Sequence, residues 1–277
     1  MLRTFLFWGV YGPLKNLFKL AADSNYRRFW KLRSKLNRHQ RYVECNVKLN
    51  GWDLFLPDAA SFISAYEEIF VNRIYEFKST NPRPYILDVG ANVGVSVLFF
   101  KSLFPESEII AFEADPEIYR YLIKNIHGNG FVDVSIFNRA VWFEESLLSF
   151  KPEGADAGRL TSRSSSGTIE VKSINLETYL KNRKVDFLKM DIEGAEVDVL
   201  LHCGKSLDGV ENIFIEYHSG VGETQRLDQL LGMLQKNGFR FHMHSHPALY
   251  QKSPFMNKYA SFYNYDLLLN IFAWREK

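Results

Sequence analysis

Ten residues, YILDVGANVG at positions 85–94, decide the fold of this chain. Their first half is a short apolar run of the kind that forms a buried parallel strand. Gly90 and Gly94 predict a tight turn that leads directly into a helix. Apolar strands then alternate with helical stretches to about residue 240. This alternation predicts an α/β fold with a doubly wound, mostly parallel sheet and helices on both of its faces.

The chain departs from that alternation in two places. Residues 142–174 have no long helical period and predict short strands and a loop. Strands predicted at 239–243 and 267–274 follow each other without an intervening helix. A last strand inserted antiparallel to its neighbours would explain this ending, because an antiparallel strand needs no crossover helix.

The charge of the chain divides it into an arm and a body. The net charge is +2, but residues 1–41 hold ten Lys and Arg with one acid, whereas the rest holds 24 Lys and Arg with 31 Asp and Glu. We therefore predict a basic amphipathic helical arm at 1–41. The body is predicted to contain a hairpin around Asn50-Gly51 and a helix at 61–77 within residues 42–81, followed by the main domain at 82–277.

The composition predicts a cytoplasmic protein. Two distant cysteines do not make a disulfide framework, and the apolar run at 5–12 is too short to span a membrane or to read as an export signal. The residue pattern of the arm predicts a helix at 14–21 and a second helix capped by Asp23. The second helix has aromatic side chains among basic ones. Such a helix suits the inner face of an anionic membrane as a peripheral contact. The alternative is that this helix packs on the body of the protein. No nucleic-acid motif accompanies the arm, and no nucleic-acid partner is expected.

The strand ends predict a nucleoside ligand, because ligands of open α/β sheets bind beyond the carboxyl ends of the strands. Glu113 ends the second strand, 23 residues after Gly90, where an acid can accept hydrogen bonds from both ribose hydroxyls. Asn92 and Val95 stand where the dinucleotide pattern G-x-G-x-x-G has glycine. The pattern favours an adenosyl ligand other than NAD, with an NAD-dependent oxidoreductase as the alternative.

Four stretches resemble the FkbM family of S-adenosylmethionine-dependent methyltransferases. They are LDVGANVG at 87–94, AFEADP at 111–116, NRAV at 138–141 and FLKMDIEGAE at 187–196. The resemblance covers 85–217 in order, continues at 270–273 and leaves out the basic arm. It implies a class I methyltransferase (Rossmann-like) fold for 82–277, with an antiparallel last strand, and an enzyme of the methyltransferase type.

The resemblance implies S-adenosyl-L-methionine as the cofactor. The glycine turn would line its methionine part, Glu113 would bind the ribose, and the turn at 138–140 would lie near the adenine. The implied cofactor-binding residues are Asp88, Gly90, Ala91, Asn92, Gly94, Ser96, Glu113, Ala114, Asp115, Asn138, Ala140 and Asp191.

Methyl transfer to a hydroxyl requires a group that removes the acceptor's proton. The ends of the fourth and fifth strands offer four catalytic candidates, Lys189, Asp191, Glu216 and His218. His218 titrates near neutrality and could take the proton directly, with Asp191 or Glu216 holding its ring. The alternatives are a surface-loop histidine at 218 and a helix N-cap at Asp191.

The candidate substrate residues are Arg159, Glu193 and His244. The histidines at 242, 244 and 246 alternate along a strand and so share one face, which favours a polar rim beside the active site over a metal site. No metal is predicted, although the carboxylates and histidine at 191, 193, 216 and 218 carry ligand atoms that a divalent cation accepts.

Together these patterns predict an O-methyltransferase that acts on a hydroxyl of a glycan, a glycolipid or a secondary metabolite. The remaining alternatives are the NAD-dependent oxidoreductase and a non-catalytic, membrane-associated protein that has kept the methyltransferase-like fold.

Overall fold

The computed structural model describes residues 20–155, 158–161, 166–181, 183–246, 250–256, 258–260 and 265–276. The helix expected at 14–21 lies outside these residues except for its last two positions. In the described part the α-helices are α1 Ser24–Leu36, α2 Ala59–Tyr66, α3 Val95–Leu103, α4 Pro116–Ile126, α5 Glu177–Leu180, α6 Glu196–Cys203 and α7 Leu227–Lys236. The strands are β1 Cys45–Leu49, β2 Trp52–Leu56, β3 Tyr85–Val89, β4 Glu108–Glu113, β5 Val134–Asn138, β6 Ala140–Trp142, β7 Leu147–Lys151, β8 Arg159–Leu160, β9 Ile169–Asn175, β10 Phe187–Met190, β11 Asn212–Gly220, β12 Arg240–Ser245, β13 Tyr250–Ser253, β14 Lys258–Ala260 and β15 Tyr265–Trp274.

A seven-stranded central sheet organises the fold, with the strand order β12-β15-β11-β10-β3-β4-β5. The five strands from β11 to β5 run parallel, and β15 pairs antiparallel with both β11 and β12. Every residue of β3 and β10 is buried, as expected for strands covered on both faces. The predicted fold class is therefore confirmed, including the antiparallel last strand.

The stretch at 142–174 contributes to a second, smaller sheet. Strands β6, β9, β7 and β8 pair in that order and enclose a small apolar core of their own. Because β6 starts directly after the turn that ends β5, this sheet lies beside the carboxyl ends of β4 and β5. It therefore forms one wall of the region where a ligand of this fold binds.

The N-terminal segment packs on the body through aromatic side chains. Phe29 of α1 is buried and stacks on Tyr66 of α2, with ring centroids 6.1 Å apart. Asp23 caps α1 as predicted, its Oδ1 accepting a hydrogen bond from the backbone N–H of Asn25 over 2.8 Å. The apolar face of α1 is therefore covered by protein, and its basic face is left exposed. Among the helices that the structure describes, none is both long and apolar enough to cross a membrane.

The hairpin at 45–56 turns at Asn50 and Gly51, which both have positive φ, as the Asn-Gly dipeptide predicts. The predicted helix at 61–77 is wrong at its end. After α2 the chain makes one π-helical turn, Glu67–Val71, and then leaves the helix. This break lets Tyr75 enter the core, where its ring lies 4.8 Å from that of Phe214, a position that a continuous helix would not reach.

Asp58 connects the hairpin to α2 and is almost completely buried. Its Oδ2 accepts a hydrogen bond from the backbone N–H of Ser61 at the start of α2, and its Oδ1 accepts one from the N–H of Tyr42, each 2.9 Å long. The Arg41 guanidinium lies 2.9 Å from Oδ2. Burial alone would raise the pKa of Asp58, but these hydrogen bonds lower it, so the carboxyl is ionised.

We expect Asp58→Ala to lower the free energy of unfolding by about 2 kcal/mol, because the variant loses a helix cap and leaves backbone donors unpaired. Chemical denaturation measures the change. Asp53→Ala is the matched control, since Asp53 forms only an exposed ion pair with Lys48 over 3.6 Å and should cost less than about 1 kcal/mol. Equal effects of the two substitutions would contradict the role of Asp58.

Candidate functional site

A cleft of about 690 Å³ lies at the carboxyl ends of β3, β4 and β10. We call it the cofactor cleft. The second sheet closes it on one side through Phe150 and Leu160. Of the predicted cofactor-binding residues, those that line it are Gly90, Asn92, Glu113, Ala114, Asp115, Ala140 and Asp191.

Glu113 holds the two loops that border this cleft. Its Oε2 accepts a hydrogen bond from the backbone N–H of Asn92 over 2.9 Å, and its Oε1 accepts one from the N–H of Asp115 over 2.8 Å. Burial raises the pKa of Glu113 to about 7, although both hydrogen bonds act in the opposite direction. Each carboxylate oxygen keeps a lone pair for a hydroxyl donor of a ligand.

Gly90 allows β3 and β10 to end close together. It has a φ of 88°, and a Cβ at this position would lie 1.8 Å from the backbone oxygen of Asp191. Only glycine can occupy such a position. Asn92, with a φ of 49°, donates a hydrogen bond from its side chain to the carbonyl of Ala155 over 2.9 Å. The turn and the loop at 151–155 are therefore joined across the mouth of the cleft.

Several residues of the implied cofactor set lie outside the cofactor cleft. Asp88 is fully buried and accepts a hydrogen bond from Ser96 over 2.5 Å. Gly94 permits close helix packing, because a Cβ there would lie 2.9 Å from side-chain atoms of Leu122 and Ile126. Asn138 donates to the carbonyls of Glu113 and Ala114, which shapes the cleft from behind. These residues support the site and do not line the cleft, and Ala91 and Ser96 line the neighbouring one.

A second cleft, of about 1080 Å³, adjoins the first; we call it the acceptor cleft. One wall is α2 and its π turn, which present Ser61, Ser64 and Glu68. The opposite wall consists of strand-end residues, chiefly Lys189, Glu216 and His218, together with His246 and Tyr265. The residues that line both clefts are Gly90, Asn92, Ala155, Asp191 and Glu193.

The buried ammonium of Lys189 lies between the two clefts. Its Nζ donates a hydrogen bond to the carbonyl of Gly90 over 2.7 Å and lies 3.2 Å from Asp191 Oδ2 and 3.5 Å from Asp88 Oδ1. Burial lowers the pKa of Lys189, but the two carboxylates raise it more, so the net shift is upward. Lys189 is therefore a fixed positive charge and not a proton acceptor.

His218 is buried in β11 among carboxylates, and the surface-loop alternative for it is wrong. Its Nδ1 lies 3.0 Å from Glu196 Oε1, and its Nε2 lies 3.4 Å from Glu193 Oε2 and 3.5 Å from Glu216 Oε1. Glu196 therefore holds the ring at Nδ1, a role that the sequence had assigned to Asp191 or Glu216; of those two, Glu216 lies beside Nε2. We call His218 with Asp191, Glu193, Glu196 and Glu216 the acid–histidine cluster.

Glu196 also determines the shape of the loop before α6. Its carboxylate accepts hydrogen bonds from the backbone N–H groups of Ile192 and Gly194, each 3.1 Å long. The N-cap residue of α6 is Ala195, so the helix-cap alternative for Asp191 is wrong. Glu193 is held at a φ of 58°, a strained conformation for a residue with a side chain, which costs about 1 kcal/mol. This backbone directs Glu193 towards His218 and Tyr265.

Crowding of acids shifts the protonation of the cluster. Burial raises the pKa of Glu193 to about 8, with the His218 charge and a 2.6 Å hydrogen bond from Tyr265 acting against the shift. Burial also raises the pKa of Asp191. Desolvation lowers the pKa of His218, but Glu193 and Glu196 raise it well above its usual value. Near neutral pH the cluster therefore retains protons that isolated groups would have lost.

The substrate candidates have different positions. Glu193 lies between the clefts, whereas His244 is exposed on β12 and packs on Phe272, with ring centroids 5.3 Å apart, outside both clefts. Strand β12 ends at Ser245, and His246 turns into the acceptor cleft, where its Nε2 lies 3.0 Å from Glu68 Oε1. Arg159 lies on β8 between two residues that line the cofactor cleft, Gly158 and Leu160.

Three ligand atoms in the cluster could in principle approach one metal ion. Side-chain atoms of Asp191, Glu193 and His218 lie within 4.8 Å of one another. However, Asp191 faces the Lys189 ammonium and Glu193 accepts the Tyr265 hydroxyl. Each of these two carboxylates therefore already has a partner within the protein.

The cofactor cleft fits an adenosyl ligand with a positive centre. Among the described residues, its ionisable lining consists of the carboxyl groups of Glu113, Asp115, Asp191 and Glu193 and one basic residue, Arg139. A pyrophosphate would be repelled by these acids, whereas a sulfonium would be attracted. Oδ2 of Asp115 is buried and has no hydrogen-bond partner among the described residues, so it can accept one from an amino group of a ligand. The residues therefore fit S-adenosylmethionine better than NAD.

The central sheet is mostly parallel, with an antiparallel strand inserted beside β11, and the cofactor cleft lies at the ends of β3 and β4. These two features define a class I methyltransferase. Comparison with known proteins agrees with this assignment and specifies it further. The chain belongs to the FkbM methyltransferase family, because the family's "Methyltransferase FkbM domain" matches residues 88–241, more than half of the chain. It is accordingly an S-adenosylmethionine-dependent methyltransferase.

Three curated relatives illustrate the range of the family. Methyltransferase sdnD of Sordaria araneosa is 27% identical over 209 residues, which is 62% of this chain and 80% of that protein. The hexuronic acid methyltransferase AglP of Haloferax volcanii is 24% identical over 48% of this chain and 56% of its own length. The 2-O-methyltransferase NoeI of Sinorhizobium fredii is 26% identical over 49% of this chain and 64% of its own length.

We expect Glu113→Ala to weaken binding of S-adenosylhomocysteine about a hundredfold, equivalent to two charge-assisted hydrogen bonds or about 3 kcal/mol. In the native protein the affinity should fall as the pH is lowered through about 7, because protonation removes an acceptor from the carboxyl group. Isothermal titration calorimetry measures both effects. The exposed Glu117 on α4 supplies the control, since Glu117→Ala should leave the affinity unchanged. An unchanged affinity of Glu113→Ala would refute the ribose assignment.

Proposed function

We propose that the chain transfers the methyl group of S-adenosylmethionine to a hydroxyl of a glycan, a glycolipid or a secondary metabolite. The observation that carries this proposal is the acid–histidine cluster at the junction of the two clefts. A hydroxyl is a weak nucleophile until its proton is removed, and the cluster provides proton acceptors on the acceptor side of that junction.

In this proposal the cofactor is held mainly by acids and backbone. Glu113 accepts hydrogen bonds from the ribose hydroxyls, and Oδ2 of Asp115 accepts one from the adenine amino group. The glycine turn at 90–92 passes close to the methionine part. Asp191 and Glu193, which line both clefts, place negative charge near the sulfonium. The bound cofactor supplies a methyl group on a positively charged sulfur, which makes that carbon electrophilic.

His218 is the proposed proton acceptor. Glu196 fixes the imidazole from the Nδ1 side, so that Nε2 faces the acceptor cleft beside Glu193 and Glu216. Only the neutral ring can accept a proton, and the raised pKa of His218 keeps this fraction small at neutral pH. Below saturating concentrations of S-adenosylmethionine, turnover should therefore rise with pH above the ordinary histidine range. Lys189 contributes by holding Asp191 and the Gly90 carbonyl in place.

The lining of the acceptor cleft supports a polyhydroxylated acceptor. Ser61, Ser64 and Glu68 face His246, Glu216 and His218 across it, so both walls offer hydrogen-bonding groups. Alternating hydroxyl donors and acceptors of a sugar suit such walls better than a purely apolar acceptor does. The names of two relatives, a hexuronic acid methyltransferase and a 2-O-methyltransferase, point in the same direction.

We expect His218→Ala to reduce methyl transfer by a factor of 10² to 10⁴, the usual effect of losing a general base. The assay follows radiolabelled methyl from S-adenosylmethionine into glycan and glycolipid extracts of a strain that lacks the gene. Affinity for S-adenosylhomocysteine should change less than about threefold, because His218 does not line the cofactor cleft. His244→Ala, outside both clefts, is the matched control and should retain full transfer. Full transfer by His218→Ala would place the base elsewhere.

The basic face of α1 extends the proposal to a contact with a membrane surface. Arg27, Arg28, Lys31 and Lys35 are exposed, while the apolar face of the helix packs on α2. We propose an electrostatic contact with anionic lipid headgroups, without insertion of the helix.

Replacing these four basic residues by Gln should reduce sedimentation of the full chain with phosphatidylserine vesicles, because each removed charge near the surface weakens binding by about 1 kcal/mol. Raising the salt concentration should have the same effect. The control is vesicles of phosphatidylcholine alone, which should not bind either protein. Equal sedimentation of the two proteins with anionic vesicles would refute the contact.

A further inference from the structure

The acid–histidine cluster lies where a cofactor's charge would act on it. Glu193 and Asp191 line both clefts, and His218 lines the acceptor cleft directly behind them. Nε2 of His218 is 3.4 Å from Glu193 Oε2, so these two groups are coupled in any titration. A positive charge that enters the cofactor cleft therefore acts on both members of the Glu193–His218 pair.

The groups around the pair are more acidic than basic. They come from every element that packs against it: Lys189 and Asp191 at the end of β10, Glu196 of α6, Glu216 of β11, Tyr265 of β15, His246 after β12 and Glu68 of the π turn. Lys189 is already paired with Asp191 and Asp88. The remaining carboxylates crowd His218 in a buried space, and a retained proton relieves their repulsion.

S-adenosylmethionine carries one more unit of positive charge than S-adenosylhomocysteine. The sulfonium of the methyl donor favours the ionised form of Glu193 and the neutral form of His218, whereas the uncharged thioether of the product has no such effect. The two ligands are otherwise nearly identical, so that their comparison isolates the effect of the charge on the cluster.

We propose that binding of S-adenosylmethionine, but not of S-adenosylhomocysteine, expels a proton from the Glu193–His218 pair. Only while the methyl donor is bound can the pair therefore accept the proton of the acceptor hydroxyl. This inference rests on the proposed function, because it assumes that both ligands occupy the cofactor cleft.

The proton balance of the reaction agrees with this assignment. As the bond from sulfur to the methyl carbon breaks and the bond from the acceptor oxygen to that carbon forms, the hydroxyl proton passes to the Glu193–His218 pair. The pair then carries as many protons as it did before the donor was bound. The uncharged product does not favour their release. The proton that the overall reaction must release leaves the protein at the binding step, before methyl transfer begins.

Calorimetry tests the proposal without an acceptor. Each ligand is titrated into the full chain at about pH 7.5, below the raised pKa of Glu193, in phosphate and in Tris. Because the two buffers differ in ionisation enthalpy, the difference in binding heat counts the protons released. We expect S-adenosylmethionine to release up to one proton more than S-adenosylhomocysteine. The ratio of the affinity for S-adenosylmethionine to the affinity for S-adenosylhomocysteine should rise with pH by at most about tenfold per pH unit. The titration of Glu113 does not enter this ratio, because Glu113 contacts both ligands alike.

Variants locate the source of the proton. His218→Gln and Glu193→Gln should each reduce the excess proton release, while His244→Gln, an exposed histidine outside both clefts, should leave it unchanged. Binding of S-adenosylhomocysteine in the same titrations shows that each variant is folded. A proton exchanged by the ligand's own amino group would persist in every variant and is thereby distinguished from one that the pair releases.

The outcomes separate this inference from the proposed function. Equal proton release for the two ligands, or an excess that survives in both the His218 and the Glu193 variants, overturns the inference and leaves the cofactor assignment intact. Failure of the native chain to bind either ligand overturns the proposed function and the inference together.

Discussion

One buried ammonium group holds the active end of this molecule together. Lys189 reaches from β10 to the carbonyl of Gly90 at the end of β3 and lies between two carboxylates, so that it offsets part of their mutual repulsion. A buried charge of this kind is costly to desolvate and is stable only because its partners surround it. The glycine turn, the Asp191 carboxylate and the boundary between the two clefts all take their positions from this contact.

The same contact explains why so many acids can share one small volume. Lys189 compensates Asp88 and Asp191, which leaves Glu193, Glu196 and Glu216 to be balanced by His218. Hydrogen bonds from Tyr265 and from the backbone of the loop before α6 stabilise two of those carboxylates. The excess of acids in this region favours a cationic ligand on its cofactor side, which agrees with the proposed function.

Much of the architecture was predictable because it depends on local pattern. The spacing of Gly90 and Glu113, the apolar strands and the helix-terminating residues indicated the sheet and the cofactor edge. The cluster around His218 was only partly predictable, since neither Glu196 nor Tyr265 was among the candidate site residues. Their contacts join residues 22 and 72 positions apart in sequence, and periodicity carries no information about such pairs. His244 was the histidine named as a substrate candidate, but β12 ends at Ser245 and His246 is the one that turns into the acceptor cleft.

The wall of the acceptor cleft formed by α2 and its π turn lies outside residues 88–241, the part of the chain that the family shares. In the proposed function, one part of the acceptor surface is thus contributed by a stretch that precedes the matched domain, and the other part by the domain itself. Substitutions at Ser61, Ser64 or Glu68 can alter which molecule is modified without disturbing the strand ends that hold the cofactor. In the proposed function, acceptor preference can therefore be varied through a short leading segment, with the strand ends of the cofactor cleft left unchanged.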